Sequence, residues 1–214
     1  MITGEATPSY LIDPLVPKRI SEMLPNVKLI VLLRNPIDRA FSHYHHNVLS
    51  GIEKLPFEQA IKKESERINE SFEELKNKKF IDNDNFALYF LRLMTFKIKN
   101  YFKFSYLHSG KYYEHLKNWM SIFPKKQLLI IKSEDFFYDP KNIFKHVQDF
   151  LDLPYFDLGL YDRHFEIKYQ PMNYNLRKSL KEYFEPYNSK LYKYLSIDFQ
   201  WEQKLHGKKE SKGI

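Results

Sequence analysis

The sequence predicts an α/β domain built on a parallel sheet, and three observations carry that prediction. Residues 28–33 (KLIVLL) and 127–131 (QLLII) are short, continuous apolar runs, the pattern of strands buried on both faces of a parallel sheet. The first run passes at once into Asn35-Pro36, a favoured N-cap followed by a favoured first helical residue. Between and after the two runs the chain reads as helix, so strands alternate with helices as in α/β proteins.

Taken in order, the first fifteen residues are turn-rich, with Pro8 and Pro14 on either side of the short apolar stretch 10–12. Residues 16–24 predict a short helix, with Pro17 at its start and Pro25 just past its end. The helix opened by Asn35-Pro36 runs to about residue 48 and ends at Ser50-Gly51. Residues 53–106 are helical and charged. Phe57, Ile61, Ile68, Phe72 and Leu75 mark one apolar face, and Phe86, Phe90, Leu93 and Met94 a second. Ser109-Gly110 breaks the chain before a helix over 111–122, which Pro124 stops. Asp139-Pro140 caps a helix reaching residue 151, with Ile143, Phe144, Val147 and Phe150 on one side. Residues 156–171 are irregular and aromatic, and 176–184 and 189–195 predict two last short helices. The expected organisation is one domain over 1–203 with a helical insert at about 53–105, then a basic flexible tail over 204–214. Two strands are few for such a sheet, since doubly wound domains usually carry more.

Composition narrows the function classes. The 214 residues include no cysteine, which excludes disulfides, thiolate catalysis, zinc ribbons and iron–sulfur clusters. No apolar run approaches the roughly 20 residues that span a bilayer, and no basic stretch followed by an apolar core opens the chain; the expected address is cytoplasmic. Lys and Arg number 34 against 27 Asp and Glu, a net charge of +7, which suits anionic partners but also follows from a Lys-rich coding bias. With 6 glycines and neither G-x-x-x-x-G-K-[ST] nor G-x-G-x-x-G, the chain has no glycine-rich phosphate loop.

The most informative stretch is 33–44 (LRNPIDRAFSHY). Arg34 leaves the carboxyl end of a predicted strand, the edge where open α/β sheets bind ligands. The helix from Pro36 brings N–H groups and the positive end of its dipole to the same place. Ser42 follows about two turns later. Guanidinium, hydroxyl and helix N-terminus together make a phosphate site that needs no glycine. The bland alternative is that Arg34 closes the sheet edge and pairs with Asp38; the residues by themselves leave both readings open. His43-Tyr44-His45-His46 suggests a metal cluster, but adjacent helical residues point in different directions, and no metal is expected.

This stretch resembles the 3′-phosphate-binding segment of sulfotransferases that use 3′-phosphoadenosine-5′-phosphosulfate (PAPS), a strand followed by R-[DN]-P-x-[DE]-R-x-x-S-x-Y. Arg34, Asn35, Pro36, Asp38, Arg39, Ser42 and Tyr44 meet every position. Gly4-Glu5-Ala6-Thr7-Pro8-Ser9-Tyr10-Leu11 is similar to the E-[KA]-[TS]-P-x-Y strand and turn of glycan sulfotransferases, and Val16-Pro17-Lys18-Arg19-Ile20 to the V-P-x-R-I after it. Ser109-Gly110, Tyr112, His115, Leu116 and Trp119 resemble the S-G-x-Y-x-x-H-L-x-x-W of the heparan sulfate N-sulfotransferase domain. Lys181 to Asn188, with Phe199 and Trp201, resemble the closing helices of the heparan sulfate 3-O-sulfotransferases.

The resemblance implies a three-layer, P-loop nucleoside triphosphate hydrolase-like fold, a PAPS donor, no metal, and a hydroxyl or amine acceptor on a carbohydrate. It implies that Arg34 and Ser42 hold the donor's 3′-phosphate, that Glu5 and Thr7 end a strand beside the reaction centre, and that His115 lines the substrate cleft. The family's first strand and phosphosulfate loop, with its usual catalytic glutamate, have no counterpart after Gly4. Glu5 is left as the carboxylate of this chain for the base, and Ala6 stands where several animal enzymes carry lysine. The chain therefore resembles the C-terminal two-thirds of a bacterial sulfotransferase, expected either to transfer sulfuryl groups or to bind nucleotide or anionic glycan without turnover. No nucleic-acid motif is present.

Overall fold

The computed structural model describes residues 3–76, 96–161 and 169–201. A 3₁₀ turn at Pro8–Leu11 leads into α1 (Val16–Met23), β1 (Leu29–Leu33) and α2 (Pro36–Leu49). Then come α3 (Phe57–Lys62), α4 (Glu64–Lys76), α5 (Phe96–Phe104) and α6 (Tyr112–Met120). The chain continues through β2 (Leu128–Lys132), α7 (Ser133–Tyr138) and α8 (Pro140–Phe150) to α9 (Tyr174–Leu195). The predicted second apolar face at Phe86, Phe90, Leu93 and Met94 lies outside the described residues.

β1 and β2 pair in parallel, Leu29 opposite Leu128 and Leu33 opposite Lys132. Val31, Leu33 and Ile130 meet Leu116 of α6, Leu191 and Leu195 of α9, and the aromatic pair Phe199 and Trp201. Below them Leu29 and Leu128 pack with Val16, Trp119 and Phe123. The opposite face of β1 differs from the expectation of a strand buried on both sides. Ile30 and Leu32 remain 37% and 50% exposed, because the described helices close the sheet on the side of Val31 and Leu33.

A second core joins Ile37 and Ala40 of α2, Phe57 and Ala60 of α3, Tyr106, and Leu180 and Phe184 of α9. α9 thus serves both cores, its first half one and its second half the other. Sequence reading predicted two short helices here, yet a single helix of 22 residues runs through Pro186. Proline removes one backbone bond and crowds the preceding turn. Apolar contacts on both sides of it, Leu180 and Phe184 before and Leu191 and Leu195 after, hold the axis together. Ser196, at φ 59°, ends the helix in the left-handed region, as Gly51 at φ 70° follows the end of α2.

A buried polar network ties the insert to α2. Glu53, 3% exposed, accepts from Lys54 N and Leu55 N at 2.9 Å, from Tyr106 Oη at 3.0 Å and from Arg67 Nη1 at 2.5 Å. Asn47 Nδ2 donates to Tyr106 Oη at 3.0 Å and to Lys103 O at 2.6 Å. Burial alone would raise the Glu53 pKa, but the Arg67 guanidinium, the Leu55 N–H and the Tyr106 hydroxyl outweigh it and hold the carboxyl below its ordinary value.

Two stability predictions follow from this packing. A Cβ on Gly110 would lie 2.8 Å from the Phe184 ring and 2.9 Å from Pro36, so Gly110→Ala is expected to cost about 1–3 kcal/mol by overpacking, read by urea unfolding; an unchanged midpoint would mean that Phe184 can yield. Because Glu53 is depressed in the fold, its contribution is present above the ordinary carboxylate pKa and is lost as pH falls through the folded value. Glu53→Gln is therefore expected to destabilise by about 3 kcal/mol at neutral pH, by leaving Arg67 unpaired, and by progressively less in acid. A cost that did not vary with pH would assign the effect to packing instead.

Candidate functional site

The turn that joins β1 to α2 begins at Arg34, where the sheet ends. Tyr112 Oη donates to Arg34 O at 2.9 Å. The Asn35 side chain accepts from Ile37 N at 2.9 Å, capping α2, and its Nδ2 donates to Trp201 O at 3.0 Å. Glu134, in the first turn of α7 at the end of β2, accepts from Asn35 N at 2.7 Å and from Trp201 Nε1 at 3.3 Å. Three segments remote in sequence thus fix one turn.

That arrangement changes what the helix end can offer. Sequence reading expected free N–H groups there for an anion. Pro36 has none, the Ile37 N–H is taken by Asn35, and the Asn35 N–H is taken by Glu134. The cation and hydroxyl nearby are less committed. Asp38, the partner that the bland reading gave to Arg34, is instead paired with Arg177 of α9, at 2.6 Å and 3.4 Å. Among the described residues the Arg34 guanidinium and the Ser42 hydroxyl make no hydrogen bond, and Arg34 makes no ion pair; both residues are half-buried. Arg39, the second arginine of the motif, turns inward and donates to Ser105 O at 3.4 Å and to Tyr106 O. It is a structural cation that pins α2 to the chain before α6.

The remaining expected site residues are scattered. Thr7 Oγ1 donates to the Glu5 carboxylate in an exposed, irregular segment that leads into the 3₁₀ turn. The expectation that these two residues end a strand is not met: β1 pairs only with β2 among the described residues, and Pro8 supplies no N–H to a ladder. His115, expected in the substrate cleft, is 7% exposed. Its Nε2 lies 3.0 Å from His108 O, so the imidazole donates there, and its ring packs against that of His108. Burial pushes its pKa down to about 4, partly offset by the His108 carbonyl. The side chain is a neutral core histidine rather than an open cleft residue. The other histidines diverge as their helical spacing requires: His43 packs on Tyr106 and His45 stacks on Tyr169 at 4.2 Å. No group of three or more potential metal ligands occurs among the described residues, and no helix there is long and apolar enough to cross a membrane.

One turn along α2 from Ser42, Phe41, Tyr44 and His45 form a wall of a shallow pocket of about 350 Å³, closed by Phe57, Met172 and Leu176. Sequence reading missed Glu134 and the roles of Trp201 and the Tyr112 hydroxyl. The available signal was position: Ser133-Glu134-Asp135 follows β2 as Arg34-Asn35-Pro36 follows β1, so the two turns meet at one end of a parallel sheet.

The chain is 30% identical to the membrane-associated sulfotransferase kil1 of Dictyostelium discoideum, over 94% of this chain and 53% of that protein. It is 27% identical to heparan sulfate glucosamine 3-O-sulfotransferase 3B1 of Homo sapiens, over 94% of this chain and 50% of that one. The chain spans about half the length of these curated relatives. The crystal structure of a sulfotransferase from Alicyclobacillus acidocaldarius superposes with a TM-score of 0.67 at 26% identity, covering 91% of this chain and 65% of that one. The model of the sulfotransferase domain matches residues 9–183, from the first 3₁₀ turn through the β1–α2 turn and well into α9. With most of its described fold inside that match, the chain belongs to the sulfotransferase domain family.

Proposed function

We propose that this chain takes part in sulfuryl transfer from PAPS to a hydroxyl or amine of a glycan, and that Arg34 and Ser42 hold the 3′-phosphate of the donor. The observation that carries this reading is the uncommitted pair itself. A half-buried guanidinium at the carboxyl end of a parallel strand, whose obvious acidic neighbour Asp38 is held by Arg177, is suited to a charged ligand. The heparan sulfate relatives support a carbohydrate acceptor.

Sulfuryl transfer proceeds by in-line displacement, as phosphoryl transfer does, so the protein's work is positioning and charge stabilisation. The acceptor oxygen or nitrogen bonds to sulfur while the sulfur–oxygen bond to the 5′-phosphate breaks. The acceptor's proton passes to a base, and the electron pair leaves on the phosphate of the 3′,5′-bisphosphate. Arg34 and Ser42 act at the far end of that leaving group by fixing the adenosine bisphosphate in place. Glu5 is the carboxylate this chain offers as base, oriented by the Thr7 hydroxyl.

The test compares adenosine 3′,5′-bisphosphate with AMP by calorimetric titration. Arg34→Ala is expected to weaken bisphosphate binding by about 2–4 kcal/mol, through loss of a charge-assisted contact to a doubly charged group. Ser42→Ala is expected to cost about 1 kcal/mol, with AMP affinity unchanged in both. Equal weakening of the two nucleotides by Arg34→Ala would remove the 3′-phosphate assignment.

A further inference from the structure

The geometry points to Glu134 as a positioning residue for Arg34, acting with Trp201 to hold the phosphate-binding turn in its competent shape. This inference rests on the reading of Arg34 given above. Glu134 lies outside the 33–44 segment, 99 residues beyond the backbone N–H of Asn35 that it accepts. Its two carboxylate oxygens divide between two donors: Oε1 takes Asn35 N at 2.7 Å, and Oε2 takes Trp201 Nε1 at 3.3 Å. The ring closes because Asn35 Nδ2 donates to Trp201 O at 3.0 Å. Asn35, Glu134 and Trp201 therefore bind one another pairwise, and Asn35 follows Arg34 directly.

Two features make this more than a sheet-edge contact. The peptide between Arg34 and Asn35 is held at both ends, since Tyr112 Oη donates to its carbonyl at 2.9 Å and Glu134 accepts from its N–H. That peptide sets the direction in which the Arg34 side chain leaves the backbone. Trp201 is also rigid: it is 8% exposed, stacks on Phe199 at 4.7 Å and lies against Tyr112 at 5.8 Å. Trp201, beyond the end of α9, thus braces the turn after β1. A carboxylate in this position also carries a constraint. It sits near a site for an anion, and both of its oxygens are engaged by neutral N–H donors, which disperse its charge without cancelling it.

The test measures binding of adenosine 3′,5′-bisphosphate and of AMP to the chain and to three variants, with thermal unfolding recorded for each. Glu134→Ala is expected to weaken the bisphosphate about tenfold or more. Trp201→Phe, which keeps the stacking and the Glu134 charge but removes one donor, is expected to weaken it about three- to tenfold. AMP affinity should stay within about twofold in both. A purely structural role would lower the two affinities together, or lower Tm and leave both affinities intact; either result overturns the proposal. Tighter bisphosphate binding by Glu134→Ala overturns it as well, because the carboxylate would then act by repulsion. Trp201→Phe carries the test if Glu134→Ala does not fold. Arg34→Ala separates the two readings: if it leaves bisphosphate-over-AMP discrimination intact, the 3′-phosphate assignment falls, whereas if it abolishes discrimination and the other variants do not, only the role of Glu134 falls.

Discussion

The turn after β1 is the constraint on which the described fold depends. A strand that ends inside a protein exposes backbone groups that must find partners, and here those partners come from α6 and α7, while Trp201, beyond the last helix, accepts from the Asn35 side chain. The arrangement has a chemical consequence. Phosphate loops rich in glycine bind anions with backbone N–H groups, but at this turn the N–H groups of Asn35 and Ile37 are spent on holding the turn itself. Two side chains are left for an anion: a guanidinium and a hydroxyl that make no hydrogen bond among the described residues. The ion pair between Asp38 and Arg177 completes the logic. It engages a carboxylate four residues from Arg34 in sequence and fastens α2 to α9 in the same contact.

Rigidity behind the turn comes from close packing. Gly110 lets Phe184 of α9 and Pro36 of α2 both pack against the chain before α6 more closely than a side chain there would allow, with Phe184 in the second core. The long helix then carries on through Pro186 into the first core, against β1. The turn is therefore backed by an element that cannot shift at one end without disturbing the other. The Glu53 network does comparable work for the insert, where a buried carboxylate is tolerable because five donor contacts satisfy it.

Much of this was legible in the sequence, for reasons that can be named. KLIVLL and QLLII are strands because apolar residues rich in branched side chains fit a pleated, covered surface. Asn35-Pro36, Asp139-Pro140 and Ser50-Gly51 act locally, through capping and backbone preference, and the helices begin or end there. Long-range facts were hidden. Nothing local in Glu134 says that its acceptors face Asn35 and Trp201, and Pro186 argues locally for a break that tertiary packing overrides. His115 matches a cleft histidine of the family the motif resembles, yet its hydrogen bond to His108 O is a matter of how the preceding turn folds back. The half-open face at Ile30 and Leu32 follows from which elements pack on the sheet, which the apolar pattern of one strand does not record.

The most direct test of the central claim is a crystal structure of the chain with adenosine 3′,5′-bisphosphate. The account predicts the 3′-phosphate within about 2.7–3.1 Å of the Arg34 guanidinium and the Ser42 hydroxyl, with Asp38 still on Arg177 and the Glu134–Asn35–Trp201 ring unchanged. A bisphosphate bound elsewhere, or an Arg34 turned to pair with Asp38 while the nucleotide is present, would contradict it.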